Sequence, residues 1–240
     1  MYRIQLHVHT KYSHDSILPF WLLYRMCLVK KIDYIAITEH NNINGGLSFQ
    51  EYCFARGNKV KVIVGEEIMT AGGEIIGIFL SKNIPSGWSP GQTIQEIKRQ
   101  GGIVYIPHPY DEKRKKTVLK EKYIKQHSTD IDCIESHNGR NVSKKFDTIQ
   151  NEIADKYGIL KIIGSDAHTC FEIGRNYIES DIAPSTPHEF LISMKNANCH
   201  AHDCLGFCHY ITKMARVFKF IEKGDFSGLC RVIHRKIRKC

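Results

Sequence analysis

The chain has 240 residues, 42% of them hydrophobic, enough for one large domain or two small ones with a substantial core. Its formal charge of +9 suits an anionic substrate without by itself implying nucleic acid. No apolar run approaches the roughly 20 residues of a transmembrane helix. The stretch 1–7 reads as a strand, without the apolar core and cleavage site of a signal peptide, so a cytoplasmic protein is expected.

In chain order, β-rich runs fall at 2–8, 33–38, 60–64, 74–80, 102–107, 132–136, 160–164 and 177–179. Several, such as 34–38 and 103–107, are apolar on both faces, the pattern of strands covered on both sides in a parallel sheet. Helical patterns lie between them at 20–31, 93–100, 143–156 and 188–196, then from about 207 to 221. Ser89-Pro90 reads as an N-cap followed by a first-turn proline, and Thr186-Pro187-His188-Glu189 as a capping box. The turn Ala71-Gly72-Gly73 joins the third strand to an antiparallel neighbour as a hairpin. This alternation predicts an α/β fold, a complete or incomplete βα barrel.

The last 40 or so residues read as an appended helical segment. Phe207, Tyr210, Ile211, Met214, Val217, Phe218 and Ile221 recur at helical spacing, as expected of a helix packed on the barrel. With Lys213, Arg216, Lys219 and Lys223 on the other side, a membrane-surface or partner helix is the alternative. Two basic runs, Lys113-Arg114-Lys115-Lys116 and the tail with Arg231, Arg235, Lys236, Arg238 and Lys239, read as solvated faces before binding surfaces. The nine cysteines are an odd number and include no CxxC pair. Cys27, Cys53 and Cys133 read as small core residues. Cys199, Cys204 and Cys208, near His200, His202 and His209, have ligand chemistry for zinc but no standard zinc spacing.

The chemistry gathers where apolar runs end. His7 and His9 close the first run and, two residues apart, share a strand face; Asp15 follows in the next loop. The second run leads into Glu39-His40, the third into Glu66-Glu67, the fifth into His108, and the seventh into Asp166-Ala167-His168. Any one of these is ordinary as a rim residue. Five strand ends with the same feature match the C-terminal rim of a barrel, where such folds place their chemistry. A carboxylate after the third run is placed to bridge two cations. The mixture of imidazole and carboxylate suits Zn, Mn or Fe rather than Ca or Mg alone.

His7-Val8-His9 with Asp15, Thr38-Glu39-His40-Asn41, Gly65-Glu66-Glu67-Ile68, Pro107-His108-Pro109 and Gly164-Ser165-Asp166-Ala167-His168 together resemble the PHP (polymerase and histidinol phosphatase) family of metal-dependent phosphoesterases. The resemblance covers 1–181 and implies a distorted seven-stranded, TIM-like (β/α) barrel there, with 182–240 as a C-terminal helical segment packing on it. It implies two or three divalent ions. His7, His9, Glu66 and Asp166 would hold one, and Asp15, His40 and His168 a second. Glu66 and His108 would help hold a third, with Glu66 as the bridge. The family's further histidine for the third ion, on the strand after the bridging acid, is absent from Glu74-Ile75-Ile76-Gly77. His137 at the end of the sixth strand is the substitute considered, its alternative a rim residue touching substrate or water. His14 competes with Asp15, and Glu39 would orient His40.

The resemblance implies hydrolysis of a phosphate ester by water activated between two ions, about 3.5–4 Å apart in such sites. Glu66, Asp166 and His137 are the catalytic candidates, His137 as a guess for the general acid. Arg175, then Lys113 and Arg114, are candidates for gripping phosphate. The substrate is a small phosphomonoester, a nucleotide or a nucleic-acid end, though no nucleic-acid-reading module is visible. The contrasting reading is a non-catalytic barrel that binds RNA or a protein partner.

Overall fold

The computed structural model describes residues 1–222 and 224–225, so Lys223 and the basic cluster Arg231–Lys239 lie outside the described residues. The strands are β1 (Tyr2–Val8), β2 (Tyr34–His40), β3 (Lys61–Thr70), β4 (Gly73–Ile78), β5 (Ile103–Ile106), β6 (Cys133–Asn138), β7 (Leu160–Gly164), β8 (Tyr177–Ser180) and β9 (Asn198–His200). The helices are α1 (Phe20–Lys30), α2 (Asn44–Phe54), α3 (Pro90–Arg99), α4 (Glu121–Gln126), α5 (Lys144–Tyr157), α6 (Pro187–Lys195) and α7 (Gly206–Glu222).

The strands form one sheet in the order β7-β6-β5-β4-β3-β2-β1-β8-β9. β1, β2 and β3 run parallel, as do β5, β6 and β7; β4 is antiparallel to both its neighbours. The expected hairpin is the reason, since Thr70 pairs with Gly73 across a two-residue turn. The sheet curls until the segment after β7 runs beside the end of β1. There the Ser165 amide donates to the Leu6 carbonyl (2.9 Å), that of Ala167 to His7 (3.1 Å), and that of His9 to Ala167 (2.8 Å). The result is a mixed α/β fold with a nearly closed, barrel-shaped sheet. Among the described residues its nine strands exceed the seven expected. The first part of β1 would have a bare edge, and β8 covers it in antiparallel register, with β9 added outside.

One apolar cluster draws on every strand of the ring and fills its interior: Ile4, Leu6, Ala36, Ile63, Ile76, Ile78, Ile103, Tyr105, Cys133 and Ile163. Two others lie between sheet and helices. Ile94 and Ile97 of α3 pack in one, Leu23 and Cys27 of α1 with Phe49 and Cys53 of α2 in the other. α6 starts at the expected Thr186 cap, which accepts from the Glu189 amide at 3.2 Å, and pushes Phe190 and Met194 into the interior cluster beside Tyr34, Phe79 and Leu160. It thereby plugs the end of the barrel opposite the strands' C-terminal ends. The segment after 182 thus adds a strand and core side chains as well as helices. Among the described residues no helix is long and apolar enough to cross a membrane.

Candidate metal centre

Which residues face the barrel axis depends on strand phase, and two bulges set it. In β1, Ile4 and Leu6 point inward, yet the register with β2 shifts between Gln5 and Val8 and His7 takes φ 60°. The shift turns both His7 and His9 towards the axis and leaves Val8 against the α1 layer. In β6 the register shifts between Glu135 and His137. Glu135 faces inward, whereas His137 turns outward to Asp147 of α5 (2.9 Å). β3 keeps strict alternation. Ile63 is inside, Val64 outside, and the same period brings Glu67 inside and Glu66 outside.

Glu67, and not Glu66, therefore stands at the middle of the cluster. Its Oε1 lies 3.4 Å from His7 Nε2 and 3.1 Å from His108 Nε2. Its Oε2 lies 3.4 Å from His9 Nε2 and 2.9 Å from His40 Nδ1. Asp166 Oδ1 is 3.7 Å from Nε2 of both His7 and His9 and 3.4 Å from His168 Nδ1. Asp15 Oδ1 is 3.4 Å from His40 and 3.3 Å from His168. Glu74, which begins the strand lacking the expected histidine, reaches His108 Nε2 at 3.5 Å and His40 Nδ1 at 4.0 Å.

Several triads have ligand atoms within 4.8 Å of one another: His7-His9-Asp166, His9-His40-His168, His7-Glu67-His108, His40-Glu67-Glu74 and His14-Asp15-His40. Among the described residues, neither Glu66 nor His137 belongs to any, nor does a cysteine. Glu66 instead accepts the Ile84 amide (2.9 Å) on the outer side of the sheet, and burial pushes its carboxyl up to about 7. Cys204 meets only His209 (3.1 Å) of its neighbours with ligand chemistry, and Cys208 contacts the Thr169 hydroxyl.

A metal fits this arrangement. His7 Nε2, His9 Nε2, His40 Nε2, Asp15 Oδ1 and Glu67 Oε2 are buried and converge without making a hydrogen bond, a costly state for polar atoms unless an ion takes them up. Their other atoms are well served. His7 Nδ1 lies 2.7 Å from Glu135 Oε1, and that carboxylate also accepts from the Tyr105 hydroxyl, the His108 amide (2.6 Å) and Asn138 (2.8 Å). A Cβ at position 164 would collide with Glu135, so Gly164 is what lets this acid sit behind His7. His9 Nδ1 contacts Ser13 Oγ at 3.1 Å, and Glu39 accepts from Ser13 and from the amide and hydroxyl of Thr10. Glu39 therefore steadies His9 through Ser13 and reaches His40 only at its backbone amide, again through Ser13. Gly45 of α2 leaves room for it.

Electrostatics agree with the placement. Burial opposes a charge on Glu67, but His7 and His40 outweigh it and hold the carboxyl well below its ordinary range. Burial would likewise raise Asp166, yet the Arg114 guanidinium and then His7 hold it well below the usual range. For His9 burial dominates and neighbouring His168 and His40 add to it, so its pKa falls well below normal and the ring is the neutral form a metal needs. His7, His108 and Asp166 all carry positive φ, the strained backbone that collects at functional sites.

Of the candidate phosphate-gripping cations, Arg114 alone reaches the cluster, with Nη2 2.6 Å from Asp166 Oδ2. Lys113 is exposed, and Arg175 donates to the Asp203 carbonyl (3.1 Å). A second arginine arrives from an unexpected quarter: Arg216 of α7 places Nη2 3.0 Å from Asp15 Oδ2. α7 is anchored by Arg140, which pairs with Glu172 (3.0 Å) and donates to Thr212 Oγ1 (2.5 Å) and the Cys208 carbonyl (3.2 Å). Glu172 in turn accepts the amides of His168 (3.0 Å) and Thr169 (2.9 Å), so the anchor of α7 also holds a candidate ligand.

The PHP domain family model matches residues 5–179. The chain belongs to the PHP domain family. Among curated proteins, an uncharacterized protein of Methanocaldococcus jannaschii is 43% identical over 120 residues, covering 45% of this chain and 68% of that protein. A second from the same organism is 32% identical over 179 residues, covering 74% and 70%. A solved two-domain protein of Bacteroides vulgatus, described as containing a predicted PHP-like metal-dependent phosphoesterase, superposes with a TM-score of 0.65 at 18% identity. That likeness, over 84% of this chain, concerns the fold; the chain spans 65% of the two-domain protein.

Proposed function

We propose that this PHP-family protein is a metal-dependent phosphoesterase that hydrolyses a phosphate ester. The observation that carries the reading is the buried set of imidazole and carboxylate atoms converging on Glu67 without hydrogen-bond partners, with the Arg114 guanidinium beside them. In this reading His7, His9, Glu67 and Asp166 would hold one ion and Asp15, His40 and His168 a second, with Glu67 placed between the two sets. His108, Glu67 and Glu74 are the set for a third, Glu74 standing in for the histidine its strand lacks. Imidazole with carboxylate suits Zn, Mn or Fe. Ions so held supply Lewis-acid stabilisation of phosphoryl oxygens and a water acidic enough to attack phosphorus near neutral pH.

The chain's own residues do the rest. Arg114, braced by Asp111 (3.3 Å) and Asp166 (2.6 Å), brings its guanidinium charge to the non-bridging oxygens of the substrate. Glu135 and Tyr105 fix the His7 ring, and Glu39 with Ser13 fixes His9, so that ligands are held before substrate arrives. Burial of Glu67, Asp166 and the flanking imidazoles excludes bulk water and strengthens each charge interaction.

The test is direct. Purified protein supplied with Mn²⁺ is expected to cleave an aryl phosphate, and His9→Ala or Asp166→Ala to abolish turnover together with metal content. A wild-type protein with full metal content and no turnover on aryl phosphates, nucleotides or oligonucleotides would leave a non-catalytic binding module as the better reading.

A further inference from the structure

Asp15 and Asp166 flank His168, and each divides its oxygens the same way. The Oδ1 atoms face the histidines, at 3.3 and 3.4 Å from His168. The Oδ2 atoms each meet a guanidinium: Arg216 on Asp15 at 3.0 Å, Arg114 on Asp166 at 2.6 Å. The two arginines come from distant parts of the chain, the loop after β5 and helix α7. Arg216 also stands where the cluster meets solvent. His40 keeps 15% of its side-chain surface exposed and His14 52%, and both lie against Asp15.

Charge counting gives the pair a purpose. The triads contain four carboxylates, Asp15, Glu67, Glu74 and Asp166. Two divalent ions would already neutralise them; Arg114 also meets Asp111 (Nε to Oδ2, 3.3 Å), whereas Arg216 adds a positive charge whose one carboxylate partner here, Asp15, is already matched, and a third ion would add two more. A phosphate monoester dianion supplies two negative charges and three terminal oxygens; an internal phosphodiester supplies one charge and two. We propose that Arg216 of α7 binds substrate and, with Arg114, selects a phosphate monoester dianion over an internal diester. This rests on the phosphoesterase reading and deepens it: α7 is part of the active site and sets its substrate class.

The experiment compares the wild-type full chain with Arg216→Ala and Arg216→Lys, each loaded with Mn²⁺. It measures kcat and KM on 4-nitrophenyl phosphate and bis(4-nitrophenyl) phosphate, calorimetric affinity for inorganic phosphate, metal content and melting temperature. The alanine variant is expected to raise KM for the monoester and weaken phosphate binding by about 10- to 100-fold, the worth of a charged hydrogen bond. Diester turnover, metal content and melting temperature should hold, and lysine should restore part of the loss. Unchanged phosphate affinity, or equal losses on both esters, would overturn the proposal. If the alanine variant loses metal or unfolds, Arg216→Gln, which keeps a donor to Asp15 without the charge, carries the same comparison. If the wild type turns over neither ester, the phosphoesterase reading fails, and the difference in phosphate affinity still decides the role of Arg216.

Discussion

The strand-end cluster and helix α7 meet at Asp15, and they are built by different means. In the cluster, the histidines and aspartates come from strand ends or the loops just after them, and buried partners fix the direction of the two on β1: Glu135 behind His7, Ser13 and Glu39 behind His9. Helix α7 contributes no such backing. It is held by a buried ion pair, Arg140 with Glu172, and by polar contacts at Thr212 and Cys208, while Arg216 remains half-exposed. The cluster is thus specified by fold, and the α7 side by charge. On the proposed function, such a division would leave metal binding rigid and substrate recognition adjustable.

The comparison breaks most sharply at Arg140. Replacing it with alanine strands the buried Glu172 and should cost about 3–5 kcal/mol of stability. Chemical denaturation checks this; a loss below 1 kcal/mol would mean that α7 is not held through this pair. Next comes the contrast of neighbours on β3. Glu67→Gln should lower metal affinity and any phosphoesterase activity by more than about 100-fold, more than losing a residue that merely supports a ligand. Metal content measured beside Glu66→Gln, expected to be normal, separates the two. Glu135→Gln leaves the ligands in place but loosens His7, and a loss of about 10- to 100-fold in metal affinity is expected, read by chelator competition.

The remaining contrast on β3 concerns pH. The Glu66 carboxyl is held up to about 7 in the folded protein by burial, above its ordinary value. A raised carboxylate pKa favours the folded state below the unfolded pKa, and that contribution is lost as pH rises through the folded value. Glu66→Gln should therefore match the wild type near pH 4.5 and gain about 3 kcal/mol by pH 8. Denaturant midpoints at the two pH values test it; a gain larger at the acidic end would sink the assignment of Glu66 to the outer face.

Much of this was legible in the residues. Strands ending in acid and histidine marked the rim, and His7, His9, Asp15, His40, His108, Asp166 and His168 all lie in the cluster. What stayed hidden was phase. The run before Glu66 and Glu67 is apolar on both faces, so alternation has no visible starting point, and a shift of one residue exchanges the two acids. Bulges are equally silent, which is why His137 drew attention and Glu135, two residues earlier on β6, did not. Glu74 was in view as the place lacking a histidine, but a carboxylate from an antiparallel strand enters the site from the strand's beginning rather than its end. α2 was missed because it opens Asn44-Gly45-Gly46, poor helix formers that packing against Glu39 and the core overrides. Arg216 was indistinguishable from any other cation on an amphipathic helix.

The seam of the barrel has a consequence for how the protein is assembled. Ser165 and Ala167 stitch the segment after β7 to β1, bridging partners 159 residues apart where the Ser165 hydroxyl meets the Leu6 carbonyl. His7 and His9 stand on one lip of that seam, Asp166 and His168 on the other. An ion shared across it would act as a clasp between the two ends of the ring, formed only once the chain between β1 and the segment after β7 has closed. Metal binding and closure would then be one linked equilibrium, and withdrawing the ion would loosen the ring.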